Sequence, residues 1–129
     1  MVMAVLPTSP FLLPQTIADS LAVLESSNYD YVFGAAEYQY PIQRALKQNG
    51  QMFFPEYRLS RSQDLEPAIH DAGQFYWGST NSFLNLKDLF SEFSKPFILP
   101  RTTVVDIDTP EDWAYAELLF QANTLYQSR

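Results

Sequence analysis

The chain has 129 residues, 47% hydrophobic and 18% charged, the size and make-up of one modest globular domain. Its net charge of −7 leaves no basic stripe that could neutralise a phosphate backbone, which argues against a nucleic-acid binder. With no cysteine and a single histidine, His70, there is no disulfide framework and no thiolate or multi-histidine metal centre.

The opening "MVMAVLPTSPFLLP" is apolar, but it is too short to span a bilayer and is interrupted by Pro7, Pro10 and Pro14. It has no basic n-region, so it does not read as a signal peptide, and a soluble, cytoplasmic protein with no membrane partner is expected. Met3 to Leu6 reads as a buried strand stopped by "PTSP". Thr16 is expected to cap a short helix with the stripe Ile17, Leu21 and Leu24, ending near "ESSN". "YDYVFGAAEY" reads as the next strand, giving a β-α-β beginning. From Pro41 to about Gly73 the pattern loosens, with turn signals at Asn49-Gly50, Pro55 and Pro67, and predicts one short helix and one hairpin. Arg44, Lys47, Arg58 and Arg61 lie in that segment. "QFYWG" reads as a strand, "NSFLNLKDLFSEF" as a helix, and "TTVVDID" as a strand before the last helix. Much of the aromatic content lies between Tyr29 and Tyr76, and reads as core and subunit-interface packing.

The last strand–helix junction, "VVDIDTPEDW", carries the clearest chemistry. Thr109 is a good N-cap, Pro110 suits the first helical position, and Asp112 completes a capping-box spacing. The helix is read with Ala114, Leu118, Ala122 and Leu125 on one stripe, and Trp113 and Phe120 nearby. In a strand, Asp106 and Asp108 share a face while Ile107 points inward. Such a pair is either two solvated acids or the carboxylate set that Mg²⁺ takes beside a phosphate-bearing substrate. A glycine-rich phosphate loop is not found after the first strand, because Gly34, Gly50, Gly73 and Gly78 are widely scattered.

Three stretches taken together are more specific: "YPIQRAL" (Tyr40 to Leu46), "RSQDLEPAIHDAGQFYWG" (Arg61 to Gly78) and "VVDIDTPEDWAYAE" (Val104 to Glu117). In order and spacing they resemble the acylneuraminate cytidylyltransferases, closest to the branch that activates pseudaminic acid. The resemblance covers nearly the whole chain but only the C-terminal part of that family. It implies an α/β, nucleotide-diphospho-sugar transferase-like (Rossmann-like) sheet over residues 1–129, with the N-terminal part and its nucleotide loop missing. The 129 residues alone are therefore expected to be inactive.

The resemblance further implies CTP and a nonulosonic acid as substrates, a CMP-sugar and pyrophosphate as products, and Mg²⁺ held by Asp106 and Asp108. It makes residues of about 41–73 a dimerisation arm that reaches the partner's site in a homodimer. Arg61 matches the arm arginine, with Gln63 beside it, and Gln43, Arg44, Tyr76, Thr8 and Ser9 match substrate-facing positions. Leu6 replaces a glutamine typical of sialic-acid-using members, which favours another nonulosonate, and Ile69 stands where an aromatic is expected. The plain alternatives are an arm salt bridge for Arg61, a turn or interface hydrogen bond for His70, and core packing for Tyr76. A rival reading is a folded but catalytically incomplete arm fragment, and another is a sialic-acid-type cytidylyltransferase.

Overall fold

The structure, a computed structural model, describes residues 1–127. Its elements in chain order are β1 (Val2–Val5), α1 (Pro14–Glu25), β2 (Tyr31–Glu37), β3 (Ile69–Gly78), α2 (Thr80–Leu84), β4 (Ser94–Ile98) and α3 (Pro110–Gln127). The strands form one mixed four-stranded sheet in the order β1-β3-β2-β4, so the fold is α/β as expected. β1 runs antiparallel to β3, with Ala4 opposite Tyr76, and β2 runs parallel to β4, with Phe33 opposite Pro96. The chain divides into two compact units, one holding residues 1–36 and the chain from Asp71 onward, the other Glu37–His70.

In the first unit, Leu24, Val32, Ala72, Phe75, Trp77 and Leu99 form the buried core, with Ile17, Leu21 and Val104 packed on it. One polar device is set into this apolar layer. The indole N–H of Trp77 donates to the Ser20 hydroxyl at 3.0 Å, and that hydroxyl donates back to the Thr16 carbonyl at 2.7 Å. Both groups are thereby satisfied where water is excluded. At the end of β3, Gly78 leaves room for two rings: a β-carbon there would lie 2.8 Å from Tyr31 and 2.9 Å from Phe83.

Several local expectations are corrected. α1 starts at Pro14 rather than at a Thr16 cap, since proline at the first helical position needs no N–H partner. The expected helix over "NSFLNLKDLFSEF" stops at Leu84. Beyond it, Leu86 takes a left-handed φ of 48°, and the Asp88 carboxylate accepts the Phe90 amide at 3.0 Å, a local turn that competes with the helix. The strand expected over "TTVVDID" does not form, and its place in the sheet is taken by β4, whose Pro96 is tolerated because β4 is an edge strand. Residues 101–103 make a single 3-10 turn instead, and Val104 to Asp108 run on unpaired.

The last helix forms where expected but presents a different face. Ala116 is buried, whereas Trp113 is 59% exposed, Leu118 65% and Leu125 68%. A small residue sets the contact, so the large apolar side chains lie to either side of it.

In the second unit, one-turn 3-10 helices at Ile42–Arg44, Pro55–Tyr57 and Ser62–Asp64 replace the single short helix expected. The hairpin reduces to one antiparallel bridge, Leu46 to Met52, around Asn49-Gly50.

The start of α3 is the clearest success of local sequence reasoning. The Thr109 hydroxyl accepts the Asp112 amide at 3.2 Å, while one Asp112 oxygen accepts the Thr109 hydroxyl at 2.7 Å and the Thr109 amide at 2.8 Å. These bonds to the charged form, the hydroxyl bond foremost, hold the Asp112 carboxyl below the usual carboxylate range. A depressed folded-state value means stability present above the ordinary carboxylate value and lost as pH falls through the folded one. Thermal unfolding across the acid range should therefore show Asp112→Ala less stable than wild type near neutrality. The difference should narrow as pH falls below the ordinary carboxylate value and Asp112 takes up its proton.

Candidate functional site

The site is built around the first half of β3. Gln74 is 1% exposed, and its side-chain amide donates to the Thr103 carbonyl at 2.5 Å. Its own carbonyl accepts the Leu6 amide at 2.9 Å and the Ser9 hydroxyl at 3.3 Å. One residue thus ties the Pro7–Pro10 turn, which carries Thr8 and Ser9, and the segment leading to Asp106 onto the same strand. Asn123 of α3 adds a second anchor, donating to the Thr102 carbonyl at 2.9 Å. Side chains do here for the backbone of residues 102–103 what a sheet ladder would otherwise do.

Beyond those anchors the expected alternation survives without strand pairing. Val105 is buried and Ile107 half-buried, while Asp106 and Asp108 are exposed. Ile107 lines a groove of about 370 Å³ with Pro10, Phe11, Trp113 and Phe120. Neither acidic side chain has a hydrogen-bond partner among the described residues, so their oxygens are open to a cation or to solvent.

Asp106 also has company that the sequence did not announce. Gly73 takes a left-handed φ of +61°, and a β-carbon there would lie 3.8 Å from an Asp106 oxygen. The Asp71 carboxylate accepts the Gly73 amide at 3.0 Å on one oxygen and the Tyr76 hydroxyl at 2.6 Å on the other. Burial first, then the bond to Asp71 and the charges of Asp71 and Asp106, pushes the Tyr76 phenol well above its ordinary value. Tyr76 is therefore a neutral, half-buried donor to Asp71 rather than plain core. Asp71 and Gln74 were missed in the sequence. For Asp71 the signal was there, since an acid two residues before a glycine is an Asx-turn pattern.

Among the described residues no group of three or more His, Cys, Asp or Glu side chains gathers to hold a metal alone. Magnesium does not require one: it is commonly held by one or two carboxylates plus substrate phosphates. The donor set of Asp106 and Asp108 fits that chemistry.

The remaining expected site residues lie in the Glu37–His70 unit. Arg61 is exposed and grips Asp64 in a two-pronged pair, Nε to Oδ2 at 2.7 Å and Nη2 to Oδ1 at 3.1 Å. Its fork is thus occupied in this structure by a neighbour three residues on. Gln63 lies in the same one-turn helix, Ser62–Asp64. The Gln43 amide donates to the Glu66 carbonyl at 3.0 Å, and its buried carbonyl oxygen has no partner among the described residues. Arg44 donates to the Ser60 carbonyl. Tyr38, Tyr40, Ile42 and Phe54 line a groove of about 480 Å³ with Arg44. The His70 ring lies against that of Tyr38, centroids 4.9 Å apart.

No family model matches the chain. Among curated proteins it is similar to the pseudaminic acid cytidylyltransferase of Campylobacter jejuni subsp. jejuni serotype O:23/36 (strain 81-176). They are 39% identical over 120 residues, which is 90% of this chain and 52% of that protein. It is 30% identical over 125 residues to the CMP-N,N'-diacetyllegionaminic acid synthase of Legionella pneumophila subsp. pneumophila (strain Philadelphia 1 / ATCC 33152 / DSM 7513), covering 91% of this chain and 52% of that one. A bifunctional Helicobacter pylori (strain ATCC 700392 / 26695) protein, named as a pseudaminic acid cytidylyltransferase and a UDP-2,4-diacetamido-2,4,6-trideoxy-beta-L-altropyranose hydrolase, is 35% identical over 85 residues. That match covers 64% of this chain and 16% of that protein. The resemblance read from the motifs is therefore borne out, and the chain spans about half the length of the first of these relatives.

The Gln74 anchor is open to a direct test. Gln74→Leu keeps the volume but leaves the Thr103 carbonyl unpaired, and should cost about 1–3 kcal/mol in urea unfolding. Amide exchange at Val104–Asp106 should quicken while that of Val32, deep in the sheet, stays slow.

Proposed function

We propose that the protein is a cytidylyltransferase that activates a nonulosonic acid, pseudaminic acid foremost, with CTP. The sugar's anomeric hydroxyl oxygen attacks the α-phosphorus and gives up its proton to solvent, the bond from that phosphorus to the β-phosphate bridging oxygen breaks, and CMP-sugar and pyrophosphate result. The observation that carries this reading is the exposed Asp106–Asp108 pair, delivered beside Tyr76 on a segment anchored to β3, in a chain similar to enzymes of that name. The sheet then corresponds to part of a nucleotide-diphospho-sugar transferase-like fold acting in the cytoplasm.

Asp106 and Asp108 would hold Mg²⁺, which when bound offsets the charge that builds on the triphosphate. The rest is positioning by the chain's own groups, which is most of what phosphoryl chemistry asks of a protein. Thr8 and Ser9, on the turn held by Gln74, and Tyr76 offer hydroxyls to the substrate. Gln43, Arg44, Arg61 and Gln63 supply polar contacts from the other unit, and Arg61 would exchange Asp64 for the sugar carboxylate, which its planar fork fits equally well. A partner subunit's site is the place where those groups act, in a homodimer formed through the Glu37–His70 unit. Residues 1–129 contain no glycine-rich phosphate cradle, so turnover is expected of the complete gene product rather than of these residues expressed alone.

In the complete gene product, Asp108→Asn should lower turnover at saturating CTP about a hundredfold, on the several kcal/mol a bound cation contributes, and should raise the magnesium requirement. Near-normal turnover with an unchanged magnesium response would reduce the pair to a helix-flanking feature.

The subunit arrangement is tested by complementation. Arg61→Ala and Asp108→Asn should each be nearly inactive as homodimers, yet recover activity when subunits are mixed and exchanged, because one site of the heterodimer keeps both residues. Verified heterodimers with no gain over the sum of their parents would show that Arg61 does not act across the interface.

A further inference from the structure

The grouping at Gly73 contains one residue that the functional reading has not used. Asp71 spends one oxygen on the Gly73 amide and the other on the Tyr76 hydroxyl, at 3.0 and 2.6 Å. The first bond closes an Asx turn and supports the left-handed backbone at Gly73, beside which the Asp106 carboxylate lies. The second decides where the only proton of the phenol goes. A neutral phenol has one proton to give and lone pairs with which to accept. Once its proton is committed to Asp71, Tyr76 can meet a ligand only as an acceptor. The same commitment keeps that proton off Asp106, whose oxygens stay available as anionic acceptors.

We propose that Asp71 is a positioning residue that fixes Tyr76 as a hydrogen-bond acceptor, so that the phenol oxygen selects a hydroxyl or amide N–H donor on the sugar acid next to Asp106. This rests on the cytidylyltransferase reading and sharpens it. Tyr76 then recognises a donor group of the sugar, and the carboxylate behind it sets that polarity. An exposed acid at this position would otherwise be an electrostatic liability, because it adds a second negative charge beside Asp106 at a site meant for anionic substrates. Taking a proton from the phenol and an N–H from the turn gives Asp71 a defined task for that charge.

The test is a double-mutant cycle in the complete gene product, with CTP and either pseudaminic acid or N,N'-diacetyllegionaminic acid, whichever the wild type turns over. Tyr76→Phe and Asp71→Ala should each raise KM for the sugar acid about three- to tenfold, the worth of one neutral hydrogen bond, with KM for CTP unchanged. In sugar-acid KM the double variant should lie close to Tyr76→Phe, because the orientation that Asp71 gives the phenol is lost with the phenol oxygen, while its bond to the Gly73 amide does not depend on Tyr76. Asp71→Asn has one acceptor oxygen where Asp71 has two, so it cannot accept both the Gly73 amide and the phenol proton; with the oxygen kept by Gly73 its NH2 faces the phenol, and it should raise the same KM. If Asp71→Ala does not fold, Asp71→Glu makes the same test, since its carboxylate sits one methylene too far along and should raise the same KM. Losses that multiply in the double variant, an unchanged sugar-acid KM, or an effect on CTP alone would overturn the role of Asp71 and leave the cytidylyltransferase reading standing. A wild type that releases no pyrophosphate with either sugar acid would overturn the functional reading, and this inference with it.

Discussion

A buried amide that must find a partner organises the first unit. Gln74 sits inside the sheet layer where an unpaired polar group would cost more than most single apolar contacts return. It meets that demand by bonding the Thr103 carbonyl, and its main chain holds the turn that carries Ser9. Because both flanking segments are irregular, neither has a ladder of its own to fix its course. Their placement follows from that of one strand residue, and through them so does the placement of Asp106, Asp108, Thr8 and Ser9. A site assembled this way is held at its anchors and exposed at Asp106 and Asp108.

The electrostatics at the tips follow the same logic. Asp71, Asp106 and the phenol of Tyr76 meet around Gly73, where the absence of a side chain leaves room for the carboxylate to approach. Burial, and then the bond to Asp71, raises the phenol's pKa, and its proton is directed at the Asp71 carboxylate. Further along the chain, Asp112 is drawn into the Thr109 cap and its charge is directed at backbone N–H groups. Local bonding thus separates these acids: Asp112 caps a helix, Asp71 accepts the Tyr76 phenol proton, and Asp106 and Asp108 are exposed.

Local chemistry was legible in the sequence, and pairing was not. The Thr-Pro-Glu-Asp start of α3 could be read because every bond of a capping box lies within one turn. The alternation of Val105, Asp106, Ile107 and Asp108 could be read because it needs only an extended backbone. What failed was any inference about which extended segment wins a place in the sheet. "SKPFI" looks poor beside "TTVV", since Pro96 cannot donate to a ladder, yet an edge strand tolerates that loss and β4 takes the position beside β2. The face of α3 failed for a related reason. Periodicity reports that a helix has apolar residues, and here they surround it, so the buried contact at Ala116 was set by what the neighbouring segments present. Gln74 was overlooked because a glutamine in a strand carries no pattern of its own. Its role depends on a carbonyl 29 residues away.

The Glu37–His70 unit poses the opposite problem, too much apolar surface for its architecture. It has one antiparallel bridge and three single 3-10 turns in place of extended secondary structure, and of its large apolar side chains Leu65 alone is buried. Tyr40, Phe53 and Leu59 are open to solvent, Leu59 at 87% exposure. So short a segment cannot bury enough area to offset the entropy of ordering it, and small units of this kind are ordinarily stabilised by metals, disulfides or association. Cysteine is absent, and no metal-holding cluster is found among the described residues. The aromatic residues of this unit, the one with the least regular secondary structure, are thus left exposed.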